Sequence, residues 1–144
     1  MSEKVVLVDK FDNKIGVMEK MEVHQKGLLH RAISVFIFNS YGQMLIQRRA
    51  LEKYHSPGKW SNTACTHPRP NEAPIEAAKR RLKEEMGMTT EISFSFKFTY
   101  KANLDQKLIE YELDHVFMGF SNDIPEYNTK EVCDFKYISK EDLE

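Results

Sequence analysis

Short polar turns separate a series of apolar segments along most of this chain. The β-branched and aromatic run at 32–38 is typical of a strand, and 43–49 reads as its return after the turn at 39–42. Residues 91–100 alternate polar and apolar with period two, which predicts a half-buried strand. The weakly patterned segment 19–29 is predicted to be a connection. Further strands are predicted at 5–9, 15–18, 107–120 and 131–138.

One helix stands out in the middle of the chain. It is predicted to begin at Pro74, because proline is favoured at the first helical position, and to end at Gly87 in a left-handed cap. Between them, a stripe at helical spacing should face the core: Ile75, Ala78, Leu82 and Met86. A single marked helix among many strands predicts an α/β (α+β) fold with a mixed sheet, as in an α/β/α sandwich.

Composition narrows the classes of function. The chain has 144 residues with 41% hydrophobic and 30% charged residues and a net charge of −1, which suits one globular domain and excludes bulk attraction to nucleic acid or membrane. It has neither a signal-peptide pattern nor an apolar run of the roughly 18 residues that a membrane helix needs. Cys65 and Cys133 do not form a disulfide framework, so we expect two thiols in a cytoplasmic protein.

Reactive side chains concentrate in the stretch 61–87. Cys65 and His67 lie two residues apart in a proline-rich loop, just before the helix that carries Arg80 and Arg81. Positive charge near the thiol would favour a thiolate and proton-transfer chemistry. A buried, unreactive thiol fits the same sequence equally well.

A second group of polar side chains could bind a metal ion. Glu110 and Glu112 share one face of their strand, where they could be two oxygen ligands, or one ligand and one general acid/base, or simply solvated. His24, His30 and His67 are candidate imidazole ligands, although each alone equally fits a surface histidine. Three histidines with two carboxylates suit a five- or six-coordinate transition metal better than a closed structural zinc site.

Cations suited to an anionic head group come from four separate segments. Arg48 and Arg49 point to opposite faces of a strand, so at most one of them should line a given site. Arginine binds phosphate oxygens in a bidentate manner. The candidates are Lys20, Arg48, Arg49, Lys53, Arg80 and Arg81.

Several motifs resemble those of one known family. They are H-R-A-I-S-V-F-I-F-N, Q-R-R-A, S-P-G-K-W-S-N-T-A-C-T-H-P and R-R-L-K-E-E-M-G, which begin at residues 30, 47, 56 and 80. Together they resemble the type I isopentenyl-diphosphate Δ-isomerases of the Nudix superfamily, over nearly the whole chain. The resemblance implies a Nudix-like α/β/α sandwich with a mixed sheet, formed by a single domain over residues 1–144.

The match to the Nudix box, G-x5-E-x7-R-E-U-x-E-E-x-G-U, departs at two positions. Thr66 stands in place of the first glycine, and Arg81 in place of a glutamate. Nudix hydrolases cluster carboxylates around Mg²⁺ to activate water, so a cation at position 81 weakens a hydrolase interpretation. It agrees with the isomerase branch, in which this position resembles a diphosphate-binding arginine.

The resemblance also implies a reaction in isoprenoid biosynthesis. Family members convert isopentenyl diphosphate to dimethylallyl diphosphate by protonating one alkene carbon and removing a proton elsewhere. By matching motif, Cys65 and Glu112 would be the acid/base groups on opposite faces of the substrate, with Tyr100 beside them. The carbocation-like state requires an apolar, water-poor pocket.

Two metal sites and a diphosphate site follow from the same resemblance. Mg²⁺ would be held by Glu85, near the Cys65 carbonyl, and would bridge to the diphosphate. Lys20, Arg49, Lys53 and Arg81 would bind the diphosphate itself. Mn²⁺ or Zn²⁺ would be bound by His24, His30, His67, Glu110 and Glu112.

Two other functions remain open on the sequence: a Nudix hydrolase of a diphosphate-containing metabolite, and a non-catalytic metal- or ligand-binding module. In each case we expect a small-molecule ligand, no nucleic-acid or membrane partner, and a monomer or weak dimer. Family members continue into C-terminal helices that carry a pocket-closing tryptophan, whereas Trp60 is the only tryptophan here. We therefore expect an open pocket and reduced turnover.

Overall fold

The computed structural model describes residues 3–51, 58–104 and 107–139. Over these residues the chain forms one mixed β-sheet and two α-helices, which confirms the predicted α+β arrangement. The elements are β1 (Lys4–Val8), β2 (Lys14–Glu19), α1 (Lys20–Lys26), β3 (His30–Phe38), β4 (Met44–Arg49), β5 (Trp60–Ser61), β6 (Ala64–Thr66), α2 (Pro74–Met86), β7 (Ile92–Asn103), β8 (Ile109–Phe120) and β9 (Val132–Ile138). Neither helix is long and apolar enough to cross a membrane.

Strand β3 brings distant parts of the chain together. It runs parallel to β8, with His30 opposite Glu112, and antiparallel to β6, with Ser34 opposite Cys65. It also pairs with β1 and β4. Because β3 fixes both registers, Cys65 of β6 and Glu112 of β8 meet at the same region of the sheet, and Cys65 lies in a strand rather than in the loop that the sequence predicts.

Helix α2 covers the sheet with the face that the sequence predicts. Ala78, Leu82 and Met86 are buried, and they join Ile33 and Ile37 of β3 in the main hydrophobic core. The helix begins at Pro74 and ends at Gly87, whose φ of 64° is the left-handed conformation that glycine tolerates best. The predicted helix is confirmed, and its inner face fixes the direction in which its charged residues point.

The prediction of a connection at 19–29 is wrong, because helix α1 lies there. The Glu19 carboxylate accepts a hydrogen bond from the Met21 N–H at 3.2 Å, and Gly27 ends the helix at φ 67°, with its N–H donating to Val23. A seven-residue helix carries too short an apolar pattern to be recognised. Its ends are specified by capping groups instead.

The prediction that residues 91–100 form a half-buried strand is correct for the strand and wrong for its burial. Within the described ranges β7 pairs with β8 alone, and Phe94, Phe96 and Phe98 are 53%, 47% and 43% exposed. A β-bulge lies between Phe94 and Phe96, so the regular alternation does not keep these rings on one face. Phe94 packs against Phe117, whereas Phe98 stacks on Tyr100 on the other face.

Candidate metal centre and active site

A cavity of about 720 Å³ opens between α1, α2 and the sheet. Most of the residues predicted for the site meet there. His30 lies fully buried beside it, and Lys53 falls outside the described residues. Of the two strand arginines, Arg49 is among the lining residues and Arg48 is not. The predicted residues that line the cavity are Lys20, His24, Arg49, Cys65, His67, Arg80, Arg81, Glu85, Tyr100, Glu110 and Glu112.

Four side chains form a cluster that could hold a metal ion. One ligand atom each from His24, His30, His67 and Glu112 lies within 4.8 Å of the others. Glu112 Oε2 is 2.9 Å from His67 Nε2 and 3.3 Å from His30 Nε2. The three histidines come from α1, β3 and the loop after β6, so their convergence depends on the tertiary fold.

The hydrogen bonds that two of the histidines make through Nδ1, on the side of the ring away from the cluster, favour metal binding. Nδ1 of His24 lies 2.8 Å from the Lys20 carbonyl, and Nδ1 of His30 lies 3.0 Å from the Leu28 carbonyl. A carbonyl can only accept, so each Nδ1 carries the proton and each Nε2 keeps its lone pair. The buried His30 Nε2 faces Glu112 Oε2 at 3.3 Å and makes no other hydrogen bond among the described residues. These residues fit a divalent transition metal.

The surroundings of His67 and Glu112 keep these side chains in the protonation states of metal ligands. Burial lowers the pKa of His67 and outweighs the opposing effect of Glu112, so the imidazole stays neutral near pH 7. Burial alone would raise the pKa of Glu112, but His30, His67 and Tyr100 hold it well below its usual range. A neutral His67 beside an ionised Glu112 is the combination of protonation states that a bound cation requires.

Glu110 joins this centre through Tyr100. The Tyr100 hydroxyl lies 2.5 Å from Oε1 of Glu110 and 2.5 Å from Oε1 of Glu112. Burial and the two carboxylates raise the pKa of Tyr100 well above 10, so it remains a hydrogen-bond donor. The two glutamates do share one strand face, but Glu110 lies outside the group of four clustered ligands, and its predicted role as a ligand stays a prediction.

Cys65 faces the cavity as a thiol. Its side chain is accessible from the cavity while protein surrounds it on most sides. Burial, followed by the charges of Glu85 and Glu112, raises the pKa of Cys65 to about 12 and outweighs Arg49 and Arg81. Burial and these two carboxylates favour the protonated thiol, and the thiolate suggested by the sequence stays a prediction.

The two arginines of α2 have different surroundings. Arg80 pairs with Glu72 at 2.8 Å and Glu84 at 3.0 Å. Arg81 lies 3.2 Å from Glu85, the pair that the helical spacing predicts, and 2.8 Å from Glu131. Burial raises the pKa of Glu85, against the effect of Arg81. The buried Oε1 of Glu85 has no hydrogen-bond partner among the described residues.

Sequence reasoning assigned no role to Glu131, which lines the cavity, or to Asp114, which contacts the cavity residue Ser34. Glu131 comes from the segment before β9, fifty positions from Arg81, and no local pattern marks it. Asp114 follows Glu110 and Glu112 on the same face of β8 and accepts a hydrogen bond from Ser34 at 2.6 Å. Burial raises the pKa of Asp114 to about 6. Its alternation with Glu110 and Glu112 was the signal that could have found it.

Comparison with known proteins shows the family of this chain. The NUDIX domain family matches residues 28–144. The isopentenyl-diphosphate Δ-isomerase 2 of Aromatoleum aromaticum is 50% identical over 143 residues, which cover 99% of this chain and 76% of that protein. The isopentenyl-diphosphate Δ-isomerase of Pectobacterium atrosepticum is 53% identical, over 97% of this chain and 78% of that protein. The chain belongs to the type I isopentenyl-diphosphate Δ-isomerase family.

Solved structures agree with the Nudix fold of this family. A crystal structure from Deinococcus radiodurans matches with a TM-score of 0.80 at 20% identity and covers 98% of this chain and 86% of that one. A MutT protein from Methanosarcina mazei matches with a TM-score of 0.68 at 20% identity, over 80% of both chains. These matches concern the fold alone. The assignment of residues 1–144 to a single isomerase domain stays a prediction.

Proposed function

We propose that this member of the isopentenyl-diphosphate isomerase family converts isopentenyl diphosphate to dimethylallyl diphosphate. The observation that carries the proposal is that Cys65 and Glu112 line one cavity, beside a histidine cluster suited to a metal. The names of the relatives that are half identical to this chain support the same reaction. Arg81 in place of a Nudix-box glutamate favours isomerisation over hydrolysis.

The reaction needs one proton given and one proton taken. The double-bond electron pair takes up a proton at the terminal carbon, and a C–H bond two carbons away then breaks to form the new double bond. No electron leaves the substrate. Cys65 and Glu112 are the two groups that exchange these protons, because one starts as a thiol and the other as a carboxylate.

The apolar end of the substrate and its diphosphate need different surroundings. Ala32 and Ile33 border the cavity but are almost fully buried, so the apolar, water-poor pocket that a carbocation-like state requires stays a prediction. Lys20, Arg49 and Arg81 line the same cavity and would bind the diphosphate. Lys53 is assigned to this group from the resemblance alone.

Two divalent cations complete the proposal. His24, His30, His67 and Glu112 would hold Mn²⁺ or Zn²⁺, with Glu110 nearby, and Glu85 would hold Mg²⁺ beside the diphosphate. Such cations would neutralise the negative charge of the ligands and of the substrate. Tyr100 would keep Glu110 and Glu112 in place through its hydroxyl.

The direct test is isotope uptake from deuterated water. The metal-loaded protein is incubated with isopentenyl diphosphate, and the expected result is dimethylallyl diphosphate that carries deuterium. The double variant Cys65→Ala/Glu112→Gln is the control for uncatalysed exchange. Phosphate release from nucleoside or sugar diphosphates without isomerisation would favour a hydrolase, and tight metal binding without either activity would favour a binding module.

A further inference from the structure

The Arg81 guanidinium makes its shortest contact with an acid outside its own helix. Its guanidinium contacts three carboxylates, and the shortest distance, 2.8 Å, is to Glu131 Oε2. The two acids of α2 lie farther away, Glu85 at 3.2 Å and Glu84 at 3.4 Å. Contacts within α2 alone would lay the guanidinium along the helix surface. The contact to Glu131 instead holds it across the gap between α2 and the segment before β9.

The backbone around Glu131 is anchored at both sides of the cavity. Its carbonyl accepts a hydrogen bond from the Ala50 N–H at 2.9 Å, next to Arg49, and its N–H donates to the Asn128 carbonyl at 2.9 Å. The Asn128 N–H in turn donates to the Glu85 carbonyl at 2.9 Å. Glu131 therefore has a fixed position relative to both arginines proposed for the diphosphate.

This arrangement affects how much of the Glu85 carboxylate is occupied by Arg81. Arg81 contacts Oε2 of Glu85, while the buried Oε1 has no hydrogen-bond partner among the described residues. Without Glu131, the Arg81 guanidinium would have only Glu84 and Glu85 of its own helix to pair with. Of these two acids, Glu85 is buried. The guanidinium would then compete with any cation that Glu85 binds.

We propose that Glu131 is a positioning residue, which holds the Arg81 guanidinium over the cavity and leaves a carboxylate oxygen of Glu85 available to a divalent cation. This inference rests on the proposed role of Arg81 in binding diphosphate. It predicts an effect on the binding of substrate and Mg²⁺ rather than on the proton-transfer step.

The decisive variant is Glu131→Gln, which keeps the size of the side chain and removes its charge. We expect the KM for isopentenyl diphosphate to rise about tenfold while kcat stays within about twofold, since one charged hydrogen bond that orients the binding group is lost. Glu126→Gln, at an exposed carboxylate of the same segment, is the matched control and should behave as the parent protein. A fall in kcat with an unchanged KM would overturn the proposal.

A double-mutant cycle shows whether Glu131 acts through Arg81. Adding Glu131→Gln to Arg81→Gln should cause no further rise in KM, because the group that Glu131 holds is already absent. Additive effects of the two substitutions would contradict the proposal. Glu131→Asp keeps the charge at a shorter reach and should restore part of the lost affinity.

A binding measurement separates this proposal from the proposed reaction. Calorimetry with inorganic pyrophosphate and Mg²⁺ should give an about tenfold weaker affinity for Glu131→Gln than for the parent and the Glu126→Gln control. That result in a protein without isomerase activity would refute the reaction and support the role of Glu131. Full isomerase activity with equal pyrophosphate affinity in both glutamine variants would support the reaction and refute the role of Glu131.

Discussion

The Tyr100 hydroxyl lies 2.5 Å from Glu112 Oε1, and the two residues face each other across the β7–β8 ladder. The same hydroxyl reaches Glu110 at 2.5 Å, although a phenol has only one proton to donate. Tyr100 therefore bridges the carboxylate of the metal cluster to a second carboxylate. Its loss would leave both groups without their shared partner.

Replacement of Tyr100 by phenylalanine tests this bridge. We expect kcat to fall roughly ten- to a hundredfold, because partners that orient ligand carboxylates have effects of this size. Tyr111→Phe is the matched control, since Tyr111 is a half-buried tyrosine whose ring lies on the opposite face of β8. Equal activities of the two variants in a steady-state assay would show that the bridge is dispensable.

Metal binding should stabilise the fold as well as support activity. A metal that binds only the folded state at 100 times its Kd adds about 2.7 kcal/mol to the free energy of unfolding. A chelator should therefore lower Tm and abolish activity, and Mn²⁺ or Zn²⁺ should restore both.

Two histidine variants distinguish the metal cluster from other effects of the chelator. His67→Asn should lose the metal-dependent shift in Tm because it removes one of the four clustered ligands. His115→Gln should keep the shift, since His115 pairs with Asp12 outside the cluster. A metal-dependent shift of the parent's size in His67→Asn would place the metal elsewhere.

The two cysteines should differ sharply in their effect on activity. Cys65→Ser should lower kcat by at least about a hundredfold, because a serine hydroxyl is a far weaker acid than a thiol. Cys133→Ser should retain activity, since its hydroxyl can replace the thiol that donates to the Arg49 carbonyl at 3.5 Å. Deuterium uptake into substrate and product measures both variants. Full activity of Cys65→Ser would remove Cys65 from the proposed mechanism.

His115 should make the protein less stable in mild acid. Burial lowers the pKa of His115 below its usual 6.5, against the opposing effect of Asp12, whose carboxylate lies 2.8 Å away. Arg31 and Lys97 also contact Asp12. The unfolded chain therefore binds the His115 proton more tightly than the folded chain does, and stability falls as the pH drops below 6.5.

The measurement is urea unfolding at pH 7 and pH 5.5. Burial would raise the pKa of Asp12, but Arg31, His115 and Lys97 together hold it below its usual 3.8, so Asp12 loses its contribution only at lower pH. We expect His115→Gln to lose less stability between the two pH values than the parent does. His67 contributes in the same direction in both proteins, and so it cancels in the comparison. Equal losses in parent and variant would contradict the assignment to His115.

The sequence predicts those parts of the molecule that a repeating pattern specifies. The apolar stripe of α2 and the alternation that places Glu110 beside Glu112 both follow from local periodicity. Helix α1 could not be found in this way, because caps rather than an apolar stripe define its seven residues. A signal did exist in Gly27, whose left-handed conformation ends the helix.

The site was only partly predictable for a different reason. The resemblance to the family motifs identified most residues of the site. The protonation state of Cys65, however, depends on burial and on Glu85 and Glu112, which come close to it only in the folded chain. Glu131 carries no motif, and its contact with Arg81 joins residues fifty positions apart. Charges that interact across such distances are determined by topology, which periodicity does not encode.

The bulge between Phe94 and Phe96 makes the chain length of β7 as important as its composition. Loss of Ser95 would only remove the bulge, because Phe94 and Phe96 already pair with the adjacent residues Phe117 and Val116. One residue fewer between the bulge and Tyr100, for example at Thr99, would instead move Tyr100 out of register with Glu112 and onto the other face of the sheet. Tyr100 would then point away from Glu110 and Glu112, although every residue of the site would still be present. Insertions and deletions between the bulge and Tyr100 should therefore be far more damaging than substitutions of the exposed side chains of β7, whereas deletion of Ser95 should be tolerated.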